Sequence, residues 1–294
     1  MTKQRETFLG YLFAAITILV WGSTFISSKI LLEYYSPAQI MLTRFLLAYF
    51  ALWIVRPKKL VLSIKQEIGF LLLGLSGCSV YFFTENTALT YTLASNVSII
   101  VAAAPIFTAI LAHLTGEEVF HRNTLWGFLI SFAGVILVVC NGTFVLKLNP
   151  KGDLLALAAA ACWSVYSVLF RRTTKGIDSL LITRRVLFWG LITTLPIVAL
   201  EGAQYSFFPL QIPTVIGNFL FLGLLGSCLC YVFWNRAFFY LGIVTTNSFI
   251  YIQPFITIVV GWLFLGEPIS PLAILGAILI TAGLIAAQKK KPSG

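Results

Sequence analysis

The chain has 294 residues, 59% hydrophobic and 10% charged, with a mean hydropathy of +0.94 and a formal net charge of +10. Soluble domains carry roughly 25% charged residues, so a soluble globule is excluded and an all-α integral membrane protein is predicted. The basic excess does not point to nucleic acid, which needs a clustered basic face on a water-exposed domain, and the chain has no polar region long enough to form one.

Ten apolar stretches approach the about 20 residues that a helix needs to cross the hydrocarbon, and none alternates as a barrel strand does. The first, 8–28, lacks a small-residue cleavage site and reads as a retained span rather than a signal peptide. It carries Trp21, Thr24 and Phe25. The second, 38–55, contains Arg44, and the third, 67–87, contains Tyr81 and Glu85 one turn apart. The fourth, 93–114, has Pro105 mid-span; the fifth, 124–141, has Gly127, Ser131 and Gly134 at helical spacing. The sixth, 152–170, carries Trp163 and Tyr166, and the seventh, 180–200, opens on T-R-R-V at Thr183. The eighth, 213–235, holds Tyr231, Trp234 and Asn235. The ninth, 244–265, holds Tyr251 and a mid-span Pro254; the tenth, 271–287, has Ala273, Gly276, Ala277 and Gly283.

A block from Gly74 to Gly134 recurs ungapped 149 residues later, from Gly223 to Gly283. The shift pairs Gly77 with Gly226, Asn86 with Asn235, Tyr91 with Tyr240, Pro105 with Pro254 and Glu118 with Glu267. Matches of Pro, Asn and Glu are costly coincidences in an apolar chain. Five spans per half is an odd number, so the second half enters from the opposite side. The expectation is two inverted five-helix repeats (5+5), 1–146 and 147–294, and so alternating access around a site between them.

Positive charge sets the orientation. With the N-terminus inside, Lys3, Arg5, Arg56, Lys58, Lys59, Lys65, Arg122, Arg171, Arg172, Lys175, Arg236 and Lys289 to Lys291 are inside; only Lys29, Lys147 and Lys151 are outside. Both termini are therefore predicted to be cytoplasmic, in a multi-pass protein of the plasma membrane.

W-G-S-T-F from Trp21, followed by Lys29, then T-R-F at Thr43, resembles the EamA family of the drug/metabolite transporter superfamily. So do the P-(x)12-E ending each half and the G-(x)6-G helix after it, and the resemblance covers essentially the whole chain. It implies a ten-helix fold in which spans one, three, four, six, eight and nine line a central cavity and spans five and ten are peripheral. It also implies carriage of small metabolites, often amino acids, with no bound cofactor. The family shares no single substrate.

Ionisable residues at membrane depth are functional candidates by default, and Arg44 and Glu85 lie well inside spans. One reading is a structural ion pair, with Glu85 snorkelling to the interface. The other is a substrate site in which Arg44 takes a carboxylate and Glu85 an ammonium, as suits a zwitterionic amino acid. Glu85 aligns with Trp234 and so breaks the repeat. Trp21, Thr24, Phe25, Tyr81, Trp163, Tyr166, Trp234 and Tyr251 complete the candidate binding set, either as a hydrated aromatic cavity or as packing; such a cavity keeps drug-like organic cations open as substrates. Pro105 and Pro254 are candidate hinges or static bends, since a mid-helix proline removes a hydrogen bond and kinks the chain. The small residues of spans five and ten permit close helix packing, within the chain or in a homodimer.

Enzyme readings lack their parts. Cys78, Cys140, Cys162, Cys228 and Cys230 have no metal-ligand spacing, and His113 and His121 belong to no H-E-x-x-H. Asp153 and Asp178 sit at span ends, and no Walker A sequence appears. A channel would need a filter motif or a ring of charge, and neither is present. The expected protein is a secondary transporter without metal or cofactor, whose partners are a small molecule and the bilayer.

Overall fold

The computed structural model describes residues 3–92, 94–117, 122–140, 149–202, 204, 206, 208–265 and 271–288. Its helices are α1 (Lys3–Leu31), α2 (Pro37–Val55), α3 (Ile64–Gly74), α4 (Val80–Tyr91), α5 (Ala94–Val101), α6 (Ala104–Leu114) and α7 (Arg122–Cys140). Then follow α8 (Pro150–Thr173), α9 (Ser179–Glu201), α10 (Pro213–Leu220), α11 (Cys230–Leu241), α12 (Ile243–Ser248), α13 (Gln253–Leu265) and α14 (Pro271–Gln288). Seven continuous helical stretches among the described residues are long and apolar enough to cross a bilayer. Glu118, His121, Lys147, Glu267 and Lys289 to Lys291, and the side chains of Arg122, Cys140, Ala273 and Ala277, lie outside the described residues.

Local sequence decides where the helices begin. The Ser36 hydroxyl accepts the Gln39 N–H at 3.3 Å and the Gln39 side chain accepts the Ser36 N–H at 3.0 Å. This capping box, with Pro37 at the first helical position, starts α2. Ser63 and Gln66 repeat the device for α3, which therefore starts a turn earlier than the apolar run alone predicts. Asn149 and Asp178 cap α8 and α9. Gly242 alone separates α11 from α12; its φ of 84° makes that reversal available to glycine.

Large apolar side chains cover the outside while several polar ones are buried. Ile54, Leu114, Leu200 and Ile285 face outward, while Thr17, Arg44, Glu85, Asn86, Asn235 and Asn247 are buried. That is the pattern a hydrocarbon solvent favours, because apolar side chains gain nothing by turning inward there. With the apolar helices, it describes a multi-pass membrane protein.

Two departures from regular α-helix matter. Leu75–Ser79 and Phe221–Leu229 are π-helical and join α3 to α4 and α10 to α11. Pro105 and Pro254, expected to bend continuous helices, instead stand at the second residue of α6 and α13. A break at 102–103 precedes the first and a 3₁₀ turn, Phe249–Ile252, precedes the second. A proline in the first turn costs no hydrogen bond, so each proline begins a helix after the break.

The small-residue stripes meet within the chain. α7 and α14 cross antiparallel, with Gly127 against the Gly283 carbonyl, Gly134 against the Gly276 carbonyl, and Ser131 Oγ bonded to Ile280 O at 3.2 Å. A Cβ on Gly283 would fall 2.3 Å from Ser131 Oγ and 2.5 Å from Gly127 O. Gly283→Ala should therefore force the helices apart and lower stability by about 1–3 kcal/mol. Gly217→Ala, with nothing within 4 Å, should leave the unfolding midpoint in detergent unchanged or raised.

Candidate functional site

Aromatic side chains from both halves of the sequence meet between α1, α4, α8 and α11. Trp21 and Trp163 pack edge to face with centroids 5.2 Å apart. Tyr81 lies 5.3 Å from Trp163, and Tyr231 lies 5.8 Å from Trp21. With Thr24, Phe82, Val101, Ile250 and Gln253 they enclose a void of about 20 Å³, into which Arg44 and Glu85 also face. That volume holds about one water molecule, so a metabolite enters only if the walls separate.

The two charged groups are held differently. Arg44 is 1% exposed and Glu85 4%. Arg44 Nε donates to Ser227 Oγ at 2.8 Å and its guanidinium lies 4.1 Å from the Phe82 centroid. Both terminal nitrogens of Arg44 lack a hydrogen-bond partner. Glu85 lies one helical turn from Tyr81 on α4. Among the described residues no ion pair within 4.0 Å joins Arg44 to Glu85; the ion pairs are those of Arg171 and Arg172 with Glu117 and of Arg185 with Glu67. Opposite charges therefore face one cavity without neutralising each other at contact distance.

The π-helical segments supply the other polar anchors. Trp21 Nε1 donates to the Gly226 carbonyl at 2.9 Å, and the Tyr231 hydroxyl donates to the Gly77 carbonyl. Gly77 and Gly226 are mates under the 149-residue shift, and each is gripped by an aromatic residue from the other half of the chain. An inserted π turn displaces carbonyls from the α ladder, which is why such turns collect at functional sites. Trp163 Nε1 donates instead to Asn247 Oδ1 at 2.8 Å. The helix breaks reach the void too: Val101 ends α5 and Ile250 lies in the 3₁₀ turn, and these are also mates.

Of the expected residues, Trp21, Thr24, Arg44, Tyr81, Glu85 and Trp163 line one cavity. Four stand away from it. Phe25 is buried among apolar neighbours, and Trp234 packs behind Trp21 with centroids 4.9 Å apart. Tyr166 sits behind Trp163 and donates to Asn235 Oδ1 at 2.8 Å. Tyr251 belongs to a separate apolar cluster with Phe128 and Ile280. Pro105 and Pro254 lie just past the breaks. Phe82, Val101, Tyr231, Ile250 and Gln253 were not among the expected residues. Two pairs of them, Phe82 with Tyr231 and Val101 with Ile250, are repeat mates, so requiring both members of a pair to face the site could have found them. Arg184, which follows Thr183 as Arg44 follows Thr43, is elsewhere: it binds the carbonyls of Arg56 and Lys58 and stacks on Trp53.

Comparison with known proteins supplies the class. The EamA-like transporter family matches at residues 8–140 and again at 150–287. An uncharacterized transporter of Archaeoglobus fulgidus is 29% identical, over 96% of this chain and 98% of its own. A probable terminal-alkyne amino-acid exporter of Streptantibioticus cattleyicolor is 24% identical, over 94% and 92%. A probable amino-acid metabolite efflux pump of Salmonella typhimurium is 25% identical, over 94% and 93%. A crystal structure with 17% identity shares the fold, with a TM-score of 0.75 over 98% of this chain and 97% of the other.

Proposed function

Because the chain belongs to the EamA-like transporter family, we propose that it is a secondary transporter that exports an amino acid or a closely related zwitterion by alternating access. It works in the plasma membrane as ten helices in two inverted halves, 1–146 and 147–294, with both termini cytoplasmic. The observation that carries the substrate class is the pair of opposite, unjoined charges in one aromatic cavity. The free Nη atoms of Arg44 suit a bidentate carboxylate. Glu85, which shares the cavity with Tyr81 and Trp163, suits an ammonium.

The α7–α14 crossing supports the inverted arrangement. Gly127 meets Gly283, the mate of Gly134, while Gly134 meets Gly276, the mate of Gly127. Ser131 meets Ile280, its own mate. Such reciprocal contacts are what a two-fold axis imposes. The paired helix breaks support movement at the site, since discontinuous helices at the repeat interface are where transporters bind cargo. Trp21, Trp163 and the two charges form the site; Tyr166 and Trp234 hold it from behind, with hinges beside Pro105 and Pro254.

Purified protein in liposomes loaded with unlabelled amino acids should accumulate external labelled amino acid in a saturable way. Glu85→Gln should reduce that counterflow at least about tenfold, given the 2–5 kcal/mol typical of a buried charge contact. Saturable flux of organic cations but of no amino acid would replace this reading with drug-cation efflux. Flux that never saturates would replace it with a channel.

A further inference from the structure

A second pocket, at the end of α2, shares no lining residue with the aromatic cavity. The end of α2, the start of α9 and the connection before α3 enclose about 320 Å³. Its floor is aromatic: Trp53 Nε1 donates to Tyr49 Oη at 2.9 Å, and Phe188 closes the side. Its rim is cationic. The Arg184 guanidinium lies 4.3 Å from the Trp53 centroid and ties down the carbonyls of Arg56 and Lys58. Arg185 pairs with Glu67, whereas Arg184 has no carboxylate partner among the described residues and Lys59 stands exposed on the rim. Beside the pocket α2 presents Phe50 and Ile54, 58% and 82% exposed, one turn apart on an outward face.

We propose that this pocket binds the headgroup of an anionic phospholipid, with the phosphodiester against Lys59 and Arg184 and an acyl chain along Phe50 and Ile54. Three features coincide: net positive charge, an aromatic floor of the kind found at the headgroup level, and an adjoining outward apolar strip. Basic pockets between helices at a membrane face recognise anionic headgroups in this way, and the volume exceeds that of a single anion. The void between Trp21 and Trp163 plays no part, so the proposal stands independently of the transported substrate.

The test compares the full chain in nanodiscs of phosphatidylcholine alone with nanodiscs that also contain phosphatidylglycerol, and reads retained lipid by native mass spectrometry. Phosphatidylglycerol should be retained selectively. Lys59→Gln should weaken its binding about fivefold, the value of one cation near an anionic headgroup, while leaving phosphatidylcholine binding unchanged. Lys59 is exposed and its side chain makes no hydrogen bond or ion pair among the described residues, so this variant reports binding even if Arg184→Gln fails to fold. Equal retention of the two lipids, or no effect of Lys59→Gln, overturns the proposal. Glycerol phosphate that displaces the lipid at equal affinity overturns the lipid assignment, because the acyl strip would then contribute nothing.

Discussion

Arg44→Met is expected to reduce saturable amino-acid counterflow on the order of a hundredfold or more, while the unfolding midpoint stays at or above that of the unsubstituted protein. The two halves of this expectation come from the same atoms. Arg44 makes one side-chain hydrogen bond, to Ser227, and rests on Phe82. Its terminal nitrogens are buried without partners, so the desolvation of the guanidinium is poorly offset. Replacing such a buried ion by an apolar side chain of similar length is often neutral or stabilising. A carboxylate arriving in the cavity changes the balance, because it fills the vacant donors in a fork geometry that methionine cannot offer. Loss of a buried charge contact costs about 2–5 kcal/mol, and each 1.36 kcal/mol is tenfold. Arg44→Lys keeps the charge but not the fork, and should fall between the two. Counterflow and thermal unfolding of the same preparations check the result. Parallel loss of flux and midpoint would make Arg44 a structural residue.

The positions of the helices were legible because length and apolarity in a membrane chain leave little else to choose: each predicted stretch is mostly helical among the described residues, although 93–114 breaks at 102–103 and seven stretches are long and apolar enough to cross a bilayer. The ends were less legible, as α3 shows, where a capping box extends the helix beyond its apolar run. The π turns had no sequence signal beyond a repeated glycine pair, since an inserted residue leaves composition and periodicity almost untouched. Depth along a span was only partly readable: counting along the spans puts Trp21 and Trp163 near the middle and Arg44 and Glu85 in the outer half, yet all four line one cavity. Azimuth was not readable. Tyr251 has the same spacing to Phe255 as Trp21 has to Phe25, yet it faces Phe128 and Ile280 rather than the cavity. The moment of an all-apolar helix is too weak to say which side turns inward. The repeat mismatch was more informative: where Glu85 faces the void, its mate Trp234 backs Trp21.

Alanine at the two mate glycines should have opposite consequences, although both lie in π-helical segments. A Cβ on Gly77 would fall 2.2 Å from Tyr166 Cδ2 and 2.7 Å from two further ring atoms. That ring cannot yield: Tyr166 is fully buried, bonded to Asn235, and packed on Trp163, Tyr231 and Phe238. Displacing the π turn instead would disturb the Tyr231 bond to the Gly77 carbonyl. Gly77→Ala should therefore cost at least about 1–3 kcal/mol of stability and lower flux with it. A Cβ on Gly226 would meet Thr24 Cγ2 at 3.2 Å and Arg44 Nη2 at 3.4 Å. The second of these is the unpartnered tip of a flexible side chain and can move by a few tenths of an ångström. Alanine is also about 1 kcal/mol better than glycine in a helix. Gly226→Ala should thus keep or raise the unfolding midpoint, and should raise the KM for counterflow by shifting Arg44. Midpoints and KM values of the two variants, measured side by side, decide the matter. Equal destabilisation at both positions would show that the π turn itself sets the cost, rather than the freedom of what faces it.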